Sequence, residues 1–303
     1  MTAGTIAGAR ILILYTPREQ TPNREARARD VVGPITQALS AAGADPAAAR
    51  YHPAELEPLL AKIRPDLVFN LAYGFVDPAA GLFETQWQVA ERLERAGALH
   101  LGSPAVVQAL AQDKRACAEA LARHGIPSPR ELDLDGSAPL PEVALVKPRF
   151  GACHRGVRIV DPRRAPDLGL GHDDLLQELI DGPELTAAVL GRGSEIEVLP
   201  LLALEFHGPR PHAAGLPGVE VDVCPREDRW GVAALARRSF EVLGMRHYAR
   251  IDLRVAPAGP VVLDVNSLPN LHPERSFLPL AAARAGVGFA ALIERLAASA
   301  LGV

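Results

Sequence analysis

The sequence predicts an α/β protein assembled from α+β modules. Short apolar strands alternate with helical patterns through the first third of the chain. Short strands separated by turns fill the middle, and a long hairpin followed by two helical stretches closes the end. Residues 11–15 (ILILY) read as a buried strand, and residues 16–29, polar and with two prolines, as a loop. Val31, Val32, Ile35, Ala38, Leu39 and Ala42 recur at helical spacing. Residues 55–63 form a second helix, 66–71 (DLVFNL) a second strand and 84–95 a third helix. Strands alternating with helices imply parallel βαβ units, whose ligands gather at the C-terminal strand ends, here the loops after Tyr15 and Leu71.

Residues 113–124 read as a helix closed by Gly125, with Pro127 as its stop signal. Strands are expected at 144–147, 156–160, 175–180, 185–190, 198–206, 219–223, 250–255 and 261–265. Helices are expected at 229–243, 277–285 and 289–301. Boundaries between modules fall near Pro104 and Gly182.

Composition excludes several classes. The 303 residues carry a net charge of −4 and are 48% hydrophobic, enough for a large core. A mildly acidic chain is a poor non-specific ligand for nucleic acid, which requires phosphate neutralisation. No apolar run reaches the length of a membrane helix, and no basic segment precedes a long apolar one as in a signal peptide. Cys117, Cys153 and Cys224 are far apart, which fits a reducing cytoplasm rather than a disulfide framework or zinc knuckle.

The most informative stretch is ARIDLRVAPAGPVVLDVN, residues 249–266. A three-residue loop, Pro257-Ala258-Gly259, predicts a hairpin pairing Ile251 with Val265, Leu253 with Leu263 and Val255 with Val261. The opposite face then pairs Asp252 with Asp264 and carries Asn266. A two-residue turn would slip the register by one and mix acids with aliphatics. Opposed carboxylates repel, so a cation must compensate. Two carboxylates and an amide suit a hard cation, Mg²⁺ or Mn²⁺, shared with substrate phosphates. The alternative is an exposed hairpin with solvated acids. Arg250 adds the cation that a phosphoryl-transfer site wants.

Lysine is scarce: Lys62, Lys114 and Lys147 are the only three among 32 basic residues. Lys147 ends the strand ALVK beside a glycine-containing turn, a place from which its charge can meet phosphates. Neither a Walker A sequence nor a GxGxxG after a strand is present, and each lysine also reads as a solvated surface charge.

Taken in order, these segments resemble one family. They are QDK (112–114) with HGIP (124–127), LVKPRFG (145–151), LLQELIDGPELTAAVLG (175–191), ARIDLRV (249–255) and LDVNSLPNL (263–271) with RSFLPLAAARAG (275–286). The chain is similar to ATP-grasp ligases of the D-alanine–D-alanine ligase-like branch over residues 66–301. The resemblance implies an ATP-grasp fold of three domains, 1–104, 105–182 and 183–303, with ATP between the last two. It implies that Lys114 and Lys147 contact the ATP phosphates. Gln177, Glu178, Leu179 and Ile180 would form the adenine hinge, and Glu184 would hold the ribose hydroxyls. Asp252, Asp264 and Asn266 would bind Mg²⁺. Arg250 would stabilise the phosphoryl group and the tetrahedral intermediate, Asn270 would present its backbone N–H near the oxyanion, and Ser276 would sit by the second substrate's carboxylate. It further implies small-molecule carboxylate and amine partners, a homodimer and a cytoplasmic ligase. Glu184 also reads as a turn residue, and Ser276 as a helix N-cap.

Departures from the family fall on substrate-facing positions. The first loop, TPREQTPNREARARD, lacks the alanine enzymes' pattern, although Glu19 or Glu25 could supply its acid. The second strand ends NLAYG rather than in His-Gly, and the segment between residues 206 and 219 lacks lysine, leaving Arg210, His207 or His212 to cover the phosphates. Ala152-Cys153 stands where the family often has serines, and Cys153 lacks the paired base of a nucleophile. The expectation is a ligase of specialised metabolism; the alternatives are a D-alanine–D-alanine ligase and a non-catalytic nucleotide-binding protein.

Overall fold

Two sheets of opposite character share one apolar interior. The computed structural model describes residues 5–22, 28–135, 139–151, 156–207 and 220–303. In chain order the elements are β1 (Arg10–Tyr15), α1 (Ala28–Ala41), β2 (Asp45–Arg50), α2 (Leu56–Ile63), β3 (Leu67–Leu71), β4 (Gly74–Asp77), β5 (Leu82–Thr85), α3 (Gln86–Arg95), α4 (Ala105–Gln112), α5 (Lys114–Ala122) and β6 (Ala144–Pro148). There follow β7 (Arg158–Val160), β8 (Asp174–Glu178), β9 (Glu184–Gly191), β10 (Glu197–Val198), β11 (Leu202–His207), β12 (Glu220–Pro225), α6 (Val232–Val242), β13 (His247–Ala256), β14 (Gly259–Asn266), α7 (Phe277–Arg284) and α8 (Phe289–Leu301).

The first sheet is parallel, in the order β2-β1-β3. Its central strands are apolar on both faces because helices cover both. Ile11, Ile13 and Phe69 pack in one core with residues of α1 and α8, whereas Leu12, Leu14 and Val68 pack in another with residues of α2 and α3. Thus α8, from the far end of the chain, lies against the N-terminal sheet. The loop after β1 is tied to the start of β4: the Thr16 hydroxyl donates to the Gly74 carbonyl at 2.7 Å.

The large sheet is antiparallel, β12-β11-β9-β13-β14, with β10 on the other part of β9. One face packs on α6 and on apolar residues of α4 and α5, including Ala111, Cys117 and Leu121. A small sheet, β7-β6-β8, lies beside it with its own core of Ala144, Val146, Leu176 and Leu132.

Several expectations need correction. The strand expected over 198–206 is two strands, because Pro200 has no N–H to offer and the chain steps from Val189–Leu190 to Glu184–Thr186 along β9. β2 (DPAAAR) shows no apolar alternation and is an edge strand held by β1 alone. The helix expected from residue 84 begins at Gln86, because Glu84 pairs in the β4–β5 hairpin and Thr85 with Gln88 forms a capping box. The strand expected to reach residue 180 ends at Glu178.

His247 opens β13 with a left-handed backbone, φ 65°. It is buried, and its Nδ1 accepts the Gly102 N–H at 3.0 Å. Burial, and then the neighbouring His100, push its pKa down to about 4. The unfolded chain therefore binds the extra proton between pH 6.5 and 4, so stability falls as pH falls through that window. The expected loss is up to about 3 kcal/mol. His247→Asn tolerates the left-handed backbone and keeps an acceptor for Gly102, so urea unfolding at pH 7.5 and pH 5 should show the variant less acid-sensitive than wild type.

Candidate active site

Strand alternation builds the site. Leu185, Ala187, Ile251, Leu253 and Val265 of the large sheet point into the core. Their intervening neighbours therefore share the other face: Glu184 and Thr186 on β9, Arg250, Asp252 and Arg254 on β13, Asp264 and Asn266 on β14. Asp252 lies between Thr186 on one side and Asp264 on the other.

The register holding these residues is a correction in part. Arg250 pairs Asn266, Ile251 pairs Val265 and Asp252 pairs Asp264, as the sequence predicts. Beyond Asp252 the register shifts by one: Leu253 faces Val262 rather than Leu263, and Val255 faces Pro260 rather than Val261. The loop is thus the two-residue turn set aside above, and a bulge at Leu263 reconciles it with opposed acids. The bulge has a use: the Leu263 carbonyl accepts a hydrogen bond from Lys147 Nζ at 3.2 Å.

Asp252 is well supplied with donors. It accepts from Thr186 Oγ1 at 2.7 Å, from Arg250 Nε and Nη2 at 3.0 and 2.8 Å, and from Asn266 Nδ2 at 3.3 Å. Arg250 also lies 5.3 Å from the Phe277 ring centre, which ties it to the start of α7. Asp264 lines a cleft with Lys114, Lys147, Gln177, Cys117 and Leu263. Burial lowers the Lys147 pKa to about 8, while Asp264 draws it up and Lys114 pushes it down. Lys114 Nζ donates to the Gly151 carbonyl at 2.7 Å, and Asp113 caps α5 while gripping Arg149. Burial, chiefly, pushes the Cys117 thiol up to about 12.

Two observations match this cleft to a nucleotide and a metal. The Gln177 Oε1, on the cleft lining, is buried with no hydrogen-bond partner. The carboxylates of Asp252 and Asp264 stand side by side across β13 and β14 and offer oxygen donors, with Arg250 paired to Asp252 and Lys147 near Asp264. No cluster of three His, Cys, Asp or Glu exists among the described residues; beside the two acids lies the Asn266 amide, whose Nδ2 donates to Asp252 Oδ2 at 3.3 Å and whose oxygen could serve as a third donor.

The remaining expected residues divide. Glu178 points away from Gln177, and its carboxylate accepts the Arg130 N–H at 2.9 Å. It is not among the cleft-lining residues, whereas Gln177 is. Leu179 and Ile180 are irregular and half-buried, between β8 and β9. Glu184 forms a buried ion pair with Arg254 at 2.8 Å, and burial raises its pKa while Arg254 opposes the rise. Asn270 and Ser276 sit together beyond β14. The Ser276 hydroxyl donates to Asn270 Oδ1 at 3.2 Å and accepts the His272 N–H at 2.9 Å, so it braces this loop rather than capping α7.

His207 is exposed and meets Asp222 at 3.1 Å, and Glu19 is exposed in a short 3-10 turn. Glu25, Cys153, Arg210 and His212 lie outside the described residues. Sequence reasoning missed Thr186 and Arg254, although period-two alternation along RIDLR already put Arg254 on the face of Asp252.

Comparison with known proteins places this geometry in context. Residues 111–270 match the ATP-grasp domain family. A D-alanine–D-alanine ligase of Desulforudis audaxviator is 36% identical over 228 residues, covering 67% of this chain and 73% of that one. One from Oleidesulfovibrio alaskensis is 32% identical over 229 residues, covering 67% and 71%. The fold is similar to the crystal structure of D-alanine–D-alanine ligase from Bacillus anthracis complexed with ATP, with a TM-score of 0.72 and 18% identity, covering 97% of this chain and 98% of that one.

Gly182, at the hinge, has φ 137°, and an added Cβ would lie 2.0 Å from the Val255 carbonyl oxygen. Gly182→Ala should therefore lower stability by about 2 kcal/mol or more, read as a shift in the urea midpoint at unchanged slope.

Proposed function

Because the chain belongs to the ATP-grasp ligases of the D-alanine–D-alanine ligase-like branch, we propose that it forms an amide or peptide bond between amino-acid-like substrates of specialised metabolism, through an acylphosphate and with release of ADP. The observation that carries this reading is the single polar face of β9, β13 and β14 opposite Lys114, Lys147 and the unpartnered Gln177 oxygen. A carboxylate is a poor electrophile because its oxygen cannot leave. Phosphoryl transfer from ATP turns that oxygen into phosphate, and an amine then displaces it.

In this reading the chain supplies position and charge. Lys114 and Lys147 meet the ATP phosphates, Gln177 and the backbone of Glu178, Leu179 and Ile180 read the base, and Glu184 holds the ribose. Asp252, Asp264 and Asn266 hold Mg²⁺ (or Mn²⁺), which neutralises phosphate charge when bound. Arg250, Asn270 and Ser276 face the acid being activated and the incoming amine. Their clustering favours it: Arg250 touches Phe277, and Ser276 bonds Asn270. The same reading divides the chain into units 1–104, 105–182 and 183–303 and assigns it to a cytoplasmic homodimer.

The substrate class rests on the departures at NLAYG, at the first loop and in the lysine-free 206–219 segment. Joining two D-alanines is the second reading, favoured by the activity in the relatives' names. A panel of amino acids and small carboxylates, singly and in pairs, separates the two. D-alanine alone releasing phosphate from ATP would support the second and sink the first. Either way the nucleotide product should be ADP, and chromatographic detection of AMP and pyrophosphate would refute the mechanism. Asp264→Ala should lower turnover by about a thousandfold or more while the melting curve stays close to wild type; retained activity would refute the metal assignment.

A further inference from the structure

Arg254 is the one cation of the polar face to which the ligase reading gives no task. It is 5% exposed. Its Nε donates to Glu184 Oε2 at 2.9 Å, and its Nη1 donates to the Ile180 carbonyl at 2.9 Å. One planar guanidinium thus grips the backbone before Gly182 and the side chain after it. The neighbouring backbone repeats the attachment: the Val255 N–H donates to the Pro183 carbonyl at 3.0 Å, and Gly182 packs on the Val255 carbonyl with no room for a side chain. The hinge and the first residue of β9 are therefore fastened to β13 as one piece.

The fork geometry matters. Arg can serve a carboxylate and a carbonyl at fixed angles in the same plane, which the point charge of Lys cannot. Burial alone would favour the protonated form of Glu184, and Arg254 opposes it. A protonated or swung-out Glu184 loses acceptor capacity towards two adjacent hydroxyls.

We infer that Arg254 is a positioning residue for the nucleotide: it fixes the Glu184 carboxylate and the Ile180 carbonyl in one geometry, so that base and ribose are read together, and thereby sets a preference for ribonucleotides over deoxyribonucleotides. The inference rests on the reading of Glu184 as the ribose ligand. Arg254 itself touches no reacting atom.

Equilibrium binding of Mg·ATP, Mg·2′-deoxyATP and Mg·3′-deoxyATP to the full chain, without acid or amine, tests it. Wild type should prefer ATP over each deoxynucleotide by about tenfold, the value of one charge-assisted hydrogen bond or more. R254M should bind ATP about tenfold more weakly and bind all three nucleotides within about twofold of one another. R254Q, which keeps a donor for the Ile180 carbonyl without the charge, should also lose the preference, and R254K should restore part of it. A purely structural role would weaken all three nucleotides equally and leave the preference intact; that result in R254M, or in R254Q if R254M does not fold, overturns the inference. Wild type that binds none of the three overturns the ligase reading and this inference with it, whereas wild-type binding with an unaltered preference in the variants overturns this inference alone.

Discussion

Two carboxylates directly opposite each other across β13 and β14 impose the condition that the surrounding structure meets. Asp252 answers it with Arg250, Thr186 and Asn266, and Asp264 with the nearby cation of Lys147. These partners come from β9, β13, β14 and β6, so Lys147 ties the small sheet to the hairpin of the large one. Arg250 carries the constraint on to α7 through Phe277, and the bulge carbonyl of Leu263 carries it to Lys147. A site arranged this way holds its opposed acids close at little cost while it keeps a compensating cation for each.

The bulge shows why hairpin geometry and charge geometry need not agree. The turn after Ala256 wants two residues, while the acids at the other end want the register of a longer loop. One unpaired residue, Leu263, absorbs the difference. Its freed carbonyl then serves a buried lysine, whose ammonium group would otherwise face a large desolvation cost. A single irregularity thus permits both the turn and the site.

Around this centre the fold spends apolar surface on fixing angles. Helices α1 and α8 cover one face of the parallel sheet, and the same cluster reaches Ala188, Leu190 and Tyr248 of the antiparallel sheet. The N-terminal layer and the catalytic sheet are therefore parts of one packed body along that seam. The start of α3 meets the loop after β14 there: the Gln86 amide donates to the Ser267 hydroxyl at 3.2 Å. Departures from the family's alanine-specific pattern lie on this N-terminal side, in the first loop and at NLAYG, and also in the lysine-free 206–219 segment.

The sequence alone determined the α/β class, the apolar strands, the C-terminal helices and the placing of Asp252, Asp264 and Asn266 on one face. Each follows from local periodicity, which is set by backbone geometry within a few residues. Ordered motifs of lysines, acids and glycines were legible for the same reason. Only tertiary structure decided the bulge at Leu263, the splitting of the 198–206 strand, the edge strand β2 and the turning of Glu178 away from the cleft. It also joined Arg254 to Glu184 and Ile180, residues about seventy positions apart. Those features depend on which distant backbone supplies a hydrogen bond or a countercharge, and no local pattern in the chain encodes the identity of that partner.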